Sequence, residues 1–200
     1  MEAIRKIFAG LIFYVFFLFL IILFLNDVFK LDEYLFLIIN SSTNDILLVF
    51  FNIVTYLGSS LFWVLLIVLF WFKDKKKLSL HLLYVFIIDS LSLLLFKQIF
   101  LRPRPFEIPE IDIGTSFPSG HSQRAFSGAM ILSKYYEKYS LLFYVLAALT
   151  AFSRIYIGVH YPLDVLIGSI NGIIVGKIAS LISVKKINSR RLSRLLGYKN

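Results

Sequence analysis

The sequence predicts an all-α integral membrane protein, a six-transmembrane helix bundle with one short extracytoplasmic interfacial helix. Of its 200 residues, 58% are hydrophobic and only 16% are charged, which is too apolar for a soluble domain. Several apolar runs reach the ~20 residues that are needed to cross a bilayer. The basic residues mostly flank these runs, as is typical of membrane proteins. Residues 1–200 are therefore predicted to form a single membrane-embedded domain.

The apolar runs place the spans in order along the chain. The first run follows Arg5-Lys6, and we expect it to stay as an anchor because it is too long for a signal peptide and lacks a small-residue cleavage site. Residues 28–42 mix charged and apolar side chains and are predicted to form the interfacial helix. The second span is long for one crossing, and residues 58–60 (Gly-Ser-Ser) offer a kink. The predicted spans cover about residues 7–25, 46–72, 78–100, 121–135, 141–159 and 162–184.

The positions of the charges predict the orientation. Six spans put both termini on one side, together with the lysines at 73–77 and the basic tail at 185–200. The positive-inside rule then places this side in the cytoplasm, where the tail is expected to lie on anionic membrane lipids. A net charge of +9 could also suggest a nucleic-acid partner, but basic residues beside spans argue against one. The chain has no cysteine, which excludes thiolate catalysis and thiolate metal sites.

Lys97 and Arg104 form the first group of candidate site residues, at the end of the third predicted span. Pro103 and Pro105 stiffen the loop around Arg104, so that a cation there is held in place. Such cations can bind phosphate oxygens, and arginine does so with a fork of donors. Taken alone, a snorkelling lysine and an ordinary basic loop explain these residues as well.

The second group is Pro118-Ser119-Gly120-His121, at the predicted start of the fourth span. A helix start presents free N–H groups and a positive dipole end, which suit an anion. Ser119 can cap the helix, and Gly120 allows a ligand to approach the backbone closely. A plain helix cap beside an interfacial histidine is the alternative for this group.

The third group is Ser153-Arg154 followed by His160 and Asp164, where the fifth span gives way to the sixth. Pro162 fits the first turn of a helix, and Asp164 follows His160 by four residues, so the two side chains can meet on one helical face. A carboxylate on one ring nitrogen fixes the tautomer and leaves the other nitrogen free to attack. The alternative is a structural His–Asp pair that only fastens the turn.

Together the three groups supply what phosphoryl transfer without a metal requires: three permanent cations, two histidines and a carboxylate. The spacing alone does not decide which histidine attacks. The joint pattern K-x6-RP, PSGH and SR-x5-H-x3-D resembles the signature of the type 2 phosphatidic acid phosphatase superfamily, which also includes bacterial haloperoxidases and glucose-6-phosphatase. Every motif position is matched within a core at residues 97–164, and the six-span layout extends the resemblance over nearly the whole chain.

The resemblance implies a role for each matching residue. His160 would form a phosphohistidine, Asp164 would orient and activate it, and His121 would protonate the leaving oxygen. The resemblance also implies that neither a metal nor another cofactor takes part. Phosphate binding would fall to Lys97, Arg104, Ser119, Gly120 and Arg154.

We therefore expect a lipid phosphate phosphatase at the extracytoplasmic face of the cell membrane. Undecaprenyl diphosphate is the expected substrate because wall-building cells commonly need its hydrolysis. Phosphatidylglycerophosphate, phosphatidate and lipid A phosphates are the alternatives. A catalytically silent binder or transporter of anionic lipid would be expected to lack His160 or His121, and the haloperoxidase relatives are mostly soluble.

Asp89 lies inside the third predicted span and belongs to none of the three groups. A carboxyl within a membrane span is costly unless it is paired. We expect a structural role, with an arginine or a serine of another span as its partner.

Overall fold

The structure, a computed structural model, describes residues 2–41, 43–106 and 115–182, and the predicted basic tail lies outside them. Within the described residues all regular secondary structure is helical, as predicted. Two short 3₁₀ turns, Thr55–Gly58 and Glu137–Tyr139, precede the third and the sixth helix. The helices are α1 (Glu2–Asn40), α2 (Asp45–Val54), α3 (Ser60–Phe72), α4 (Lys76–Ile99), α5 (Gly120–Tyr135), α6 (Ser140–Tyr156) and α7 (Pro162–Ser180).

Three segments in the described ranges are long and apolar enough to cross a membrane: α4, α6 with its preceding turn, and α7. A fourth crossing results if Phe29–Asn40 and Asp45–Gly58, which meet at a bend of 118°, are one broken span. Phe8–Phe17 and α3 are shorter apolar segments. Helix α5, predicted as the fourth span, carries several polar residues on a largely buried surface. The count of six spans stays a prediction.

Helix α1 differs from the prediction, because one continuous helix runs from Glu2 to Asn40. The sequence predicts that the first span ends near residue 25 and that a separate helix begins at residue 28. Asn26 and Asp27 do not interrupt the helix, since neither glycine nor proline occurs between residues 11 and 40 to break it. The interfacial position of its last part stays a prediction.

The predicted kink in the second apolar run is confirmed. Helix α2 ends at Val54, a 3₁₀ turn follows, and α3 begins at Ser60 with the Ser59 hydroxyl accepting a hydrogen bond from the Phe62 amide (3.2 Å). Gly58 is required in this turn, because a Cβ there would lie 2.7 Å from the His121 carbonyl oxygen and 2.8 Å from Thr150 Cγ2. The turn therefore packs directly against the start of α5.

Helices α5 and α7 approach each other closely along a row of glycines on α7. Gly168, Gly172 and Gly176 are spaced by four residues and share one helical face. A Cβ on Gly168 would lie 2.6 Å from the Ser119 carbonyl oxygen, and one on Gly172 would clash with the Gln123 carbonyl. Small residues at this spacing let membrane helices pack backbone against backbone. This contact fixes the start of α5 against the start of α7.

A chain of buried hydrogen bonds ties four helices together in the middle of the bundle. The Asn171 amide group donates to Ser92 Oγ and to Gln123 Oε1, both at 2.8 Å. Ser92 Oγ also lies 2.6 Å from the Tyr14 hydroxyl of α1. Gln123 Nε2 in turn donates to the Asp89 carbonyl oxygen at 2.8 Å. Polar groups inside a membrane bundle are satisfied by one another in this way, and the network holds α1 and α4 against the α5–α7 pair.

Candidate active site

A cavity of about 670 Å³ opens at the end of the bundle where the three sequence groups meet. It brings together six of the eight predicted site residues from the ends of α4 and α6, the starts of α5 and α7, and the loop after α4. The 3₁₀ turn between α2 and α3 forms another wall. The predicted residues that line it are Lys97, Arg104, Gly120, His121, Arg154 and His160.

His160 and Asp164 form a buried pair at the start of α7. His160 Nδ1 lies 3.4 Å from Asp164 Oδ2, which also accepts a hydrogen bond from the Tyr161 amide (3.0 Å). Pro162 occupies the first turn of α7, where it leaves no N–H unsatisfied. Because the carboxylate holds Nδ1, the other ring nitrogen, Nε2, is the one available to a ligand.

The surroundings of His160 favour a neutral imidazole. Burial lowers the pKa of His160 to about 4, which outweighs the opposing effect of the Asp164 carboxylate. The lowered pKa keeps the ring unprotonated at neutral pH, as a nucleophile requires. Nε2 lies 3.5 Å from Arg104 Nη1, and Arg104 also donates to the Val159 carbonyl oxygen (3.1 Å). A phosphoryl group at Nε2 would therefore lie beside a fixed guanidinium.

The other two predicted cations approach the cavity from different helices. Lys97 ends α4, and its ammonium donates to the Thr115 carbonyl oxygen (2.5 Å). Arg154 lies in the last turn of α6 and donates to Thr55 Oγ1 (2.6 Å), while its Nε has no hydrogen-bond partner within the described residues. These side chains are partly buried, so their charges are only weakly screened by water. The site is built to receive an anion.

Ser119 and Gly120 behave differently. Ser119 is fully buried; its hydroxyl accepts from the Ser122 amide (3.4 Å) and pairs with the Ser122 hydroxyl (2.9 Å), which confirms the predicted cap of α5. The structure does not place its side chain among those that line the cavity, and its contact with phosphate stays a prediction. Gly120 does line the cavity, and a Cβ there would lie 2.7 Å from Leu93 Cδ2.

Arg124 is a cavity-lining cation that the sequence reasoning missed. It follows His121 by three residues on α5, so the two share a helical face. Its Nη1 donates to the Gly58 carbonyl oxygen (3.3 Å), and its Nε lies 3.8 Å from Asp89 Oδ2. Asp89 Oδ1 also accepts from the Ser127 hydroxyl (3.0 Å). The expectation of an arginine or serine partner for Asp89 is confirmed by both contacts.

Two further charged residues behind the site were also missed. Arg102 Nη1 contacts Asp164 Oδ1 (3.0 Å) and Asp32 Oδ2 (2.6 Å), and all three side chains are buried. The signal for Asp32 was its place in an apolar helix, where a buried carboxyl needs a cation. Its partner could not be read from the sequence, because Arg102 is 70 residues away.

Comparison with known proteins identifies the family of this chain. The model of the PAP2 superfamily matches residues 78–188. The chain is 31% identical to a lipid A 4'-phosphatase of Porphyromonas gingivalis, covering 85% of this chain and 78% of that protein. It is 30% identical to an undecaprenyl-diphosphatase of Sulfolobus acidocaldarius, covering 50% of this chain and 53% of that protein.

A solved structure shows the same fold. The crystal structure of a transmembrane PAP2-type phosphatidylglycerolphosphate phosphatase from Bacillus subtilis superposes with a TM-score of 0.70 at 29% identity, covering 88% of this chain and 94% of that one. The chain therefore belongs to the PAP2 superfamily. Within that superfamily it is a lipid phosphatase, a membrane hydrolase that acts on lipid phosphates.

Proposed function

We propose that this phosphatase hydrolyses the terminal phosphate of a lipid diphosphate through a phosphohistidine on His160, with undecaprenyl diphosphate as the substrate. The observation that carries the proposal is the buried His160–Asp164 pair, which turns Nε2 toward a cavity lined by four cations. A histidine held in this way is ready for attack at phosphorus.

In the first step, His160 Nε2 attacks the terminal phosphorus. The N–P bond forms as the bond from phosphorus to the bridging oxygen breaks. His121, which the bound phosphate dianion would hold in its protonated form, donates its proton to that oxygen. Lys97, Arg104 and Arg154 bind the equatorial oxygens, on which the transition state spreads its charge. No metal is needed for this role, because the three cations supply the same electrostatic stabilisation.

In the second step, water attacks the phosphohistidine. His121, now neutral, takes a proton from the water as its oxygen bonds to phosphorus, and the N–P bond breaks to regenerate neutral His160. Asp164 holds the tautomer through both steps by its contact with Nδ1 (3.4 Å). Inorganic phosphate then leaves the cavity.

Arg124 supports a diphosphate over a monophosphate. The signature of the superfamily accounts for three cations, and here a fourth lines the same cavity, one helical turn beyond His121. The departing oxygen must lie close to His121, so a second phosphoryl group on the leaving side would lie near Arg124. A charge-assisted contact there would be among the stronger polar contacts that the site can offer.

The lipid tail is expected to leave the cavity along α4. Leu93 and Leu94 line the cavity beside Lys97, and the neighbouring residues Leu91 and Leu95 are exposed on the outer surface of the same helix. An apolar surface of this kind on a membrane protein faces lipid. A substrate could therefore keep its tail in the bilayer while its headgroup enters the site.

The reaction is proposed to take place at the extracytoplasmic face, with six spans and cytoplasmic termini. The lysines at 73–77 lie at the start of α4, while the candidate site lies at its end. The positive-inside rule then assigns the site to the outer side. Single cysteines in this cysteine-free chain test the assignment with an impermeant maleimide on intact cells: Glu110→Cys should label and Lys76→Cys should not. The reverse labelling would place the site in the cytoplasm.

The function is tested by phosphate release from four purified lipids in detergent, with and without EDTA. The lipids are undecaprenyl diphosphate, its monophosphate, phosphatidylglycerophosphate and phosphatidate. We expect the highest kcat/KM for the diphosphate, undiminished by EDTA and inhibited by vanadate, which mimics the five-coordinate phosphoryl group. Preference for either glycerolipid would replace the proposed substrate, and absence of turnover on all four would favour the binding or transport alternative. Loss of activity in EDTA that Mg²⁺ restores would contradict the mechanism.

A further inference from the structure

We infer that Asp32 and Arg102 are positioning residues, which together hold the catalytic carboxylate of Asp164 in place and set the net charge behind His160. Arg102 lies between the motif residues Lys97 and Arg104, and Asp32 lies on α1, outside the segment that matches the family model. The inference rests on the proposed function, because it takes His160 as the reacting group.

The contacts form one continuous chain from α1 to the nucleophile. Asp32 Oδ1 accepts a hydrogen bond from the Leu163 amide (2.7 Å), and Asp32 Oδ2 accepts from Arg102 Nη1 (2.6 Å). The same Nη1 donates to Asp164 Oδ1 (3.0 Å). Asp164 Oδ2 then faces His160 Nδ1. Every carboxylate oxygen in this chain therefore has a partner, and Arg102 Nη1 is shared between Asp32 and Asp164.

Arg102 is held in one orientation. Its guanidinium carbon lies 4.2 Å from the centre of the Phe29 ring and 3.8 Å from that of Tyr161, so the group is stacked between two aromatic faces. Its backbone carbonyl accepts from the Ser116 amide (2.7 Å), which closes the loop after α4. The side chain is 6% exposed. Such a cation can act on Asp164 but cannot reach into the cavity as a phosphate ligand.

The charges of this chain explain why it needs two acids. Arg102 alone would neutralise Asp164 and weaken the hold of its carboxylate on His160. Asp32 offsets Arg102, because two carboxylates and one guanidinium leave one net negative charge beside the ring. That charge opposes the positive groups that face His160 from the other elements, namely Lys97 of α4, Arg104 of the following loop and Arg154 of α6, with His121 of α5 as the titratable neighbour.

The test is the pH dependence of kcat in single variants. The acid limb is the part of the profile in which kcat falls as the pH is lowered. Arg102→Met removes a positive charge near His160, which favours protonation of the His160–Asp164 pair. The acid limb should therefore move to higher pH by about one unit. Asp32→Asn removes a negative charge, and the acid limb should move to lower pH. Both variants should lose about tenfold to a hundredfold in kcat, as expected for partners that orient a functional histidine. KM should change little, because neither residue lines the cavity.

Three controls separate positioning from a simple fastening of α1. Tyr14→Phe removes the hydrogen bond of α1 to Ser92 without changing a charge, so it should lower the melting temperature and leave the acid limb in place. The double variant Asp32→Asn/Arg102→Met restores the net charge, and its acid limb should return to the wild-type position while kcat stays low. Arg102→Lys keeps the charge but loses the planar guanidinium that stacks on Phe29 and Tyr161, and should lower kcat without moving the limb.

Shifts of the acid limb in the same direction in both single variants, or no shift in either, would overturn the inference and leave only a fastening role. If Arg102→Met does not fold, Arg102→Lys decides: an unchanged kcat contradicts positioning. These results are distinct from failure of the proposed function itself. If His160→Ala keeps its activity, the nucleophile is wrong whatever the acid limb does; if it loses activity and the limb does not move, only the inference about Asp32 and Arg102 fails.

Discussion

The two ends of this helix bundle each hold a buried histidine beside basic residues, yet the ring nitrogens of the two histidines are engaged differently. At the start of α4, a cavity of about 380 Å³ is lined by His81, Lys77 and Lys134. Both ring nitrogens of His81 are engaged, Nδ1 with the Tyr135 hydroxyl (2.5 Å) and Nε2 with the Ile182 carbonyl oxygen (2.9 Å). At the opposite end, a carboxylate holds one nitrogen of His160 and the other faces a cavity.

The cations of the two ends differ in the same way. Lys77 and Lys134 are exposed, and the Lys134 ammonium donates to the Ser180 carbonyl oxygen. Water and salt weaken exposed charges of this kind. The cations around His160 are partly buried and come from several separate elements. A basic residue near a histidine is therefore weak support for a site; the engaged nitrogens and the burial of the charges are what distinguish the two ends.

The largest contrast is expected from removing each histidine. His160→Ala should lower kcat by at least about a thousandfold, because alanine has no nucleophilic atom that can form the covalent intermediate. His81→Ala at the other end is the matched control and should keep most of the activity. Phosphate release by both purified variants measures the contrast. More than a tenth of wild-type activity in His160→Ala would contradict its role as the nucleophile.

The second histidine of the cavity can be separated from the first by the leaving group. His121→Ala should lower kcat on the lipid substrate by about a hundredfold, since the departing oxygen must then leave without a proton. The loss should be smaller on an aryl phosphate whose leaving group is acidic and needs no proton. A series of such esters gives the comparison, and an equal loss across the series would argue against proton donation by His121.

A smaller and more selective effect is expected for the fourth cation. Arg124→Gln, combined with Asp89→Asn to avoid an unpaired buried carboxylate, should raise KM for undecaprenyl diphosphate by about tenfold and change KM for the monophosphate much less. Asp89→Asn alone measures how much of the change in KM comes from loss of the carboxylate. Lys138→Gln removes a cation at an exposed position far from the cavity and is the matched control for loss of a positive charge. Equal changes for the two substrates would mean that Arg124 serves only as the partner of Asp89.

The smallest expected effect is that the His160 imidazole does not titrate near neutral pH. Because burial lowers the pKa of His160 to about 4, its imidazole signals in ¹⁵N NMR should not shift between about pH 8 and about pH 5. His160→Asn identifies the signals among the three histidines. The unfolded chain binds this proton more readily, with an ordinary pKa near 6.5, so the contribution of His160 to stability is complete above that pH and declines as the pH falls toward 4. A midpoint near pH 6.5 in the folded protein would contradict the buried, neutral ring.

Local signals in the sequence predicted much of the fold. Pro162 and Ser119 mark helix starts by their own chemistry, and both helices begin where these residues predict. The second apolar run is interrupted at residues 58–60, as predicted. Gly58 packs against the backbone of His121, and a larger residue would not fit there. The break near residue 27 was wrong, because two polar residues are too weak a signal to end a helix without glycine or proline.

The site was predicted less completely, because some of its contacts join residues that are far apart in the sequence. His160 and Asp164 meet because they are four residues apart on one turn, a relation that the sequence displays. Asp32 and Arg102 meet only because α1 packs beside both the start of α7 and the loop after α4, and nothing within either local segment indicates it. Arg124 could have been found from its spacing after His121, but a single arginine on a helix also fits an exposed position.

The glycine row on α7 has a consequence for how this enzyme can diversify. The backbone of Gly168 packs against the Ser119 carbonyl, two residues before His121. Helix α7, which carries Gly168, begins just after His160. The distance between His121 and His160, the proposed proton donor and nucleophile, is thus set by how closely two backbones pack. A single methyl group added at Gly168 would increase it. Exposed apolar positions such as Leu91 and Leu95 carry no such constraint. Substitutions along α4, the proposed path of the lipid tail, can therefore change which lipid is accepted. The close contact between α5 and α7 tolerates very few substitutions.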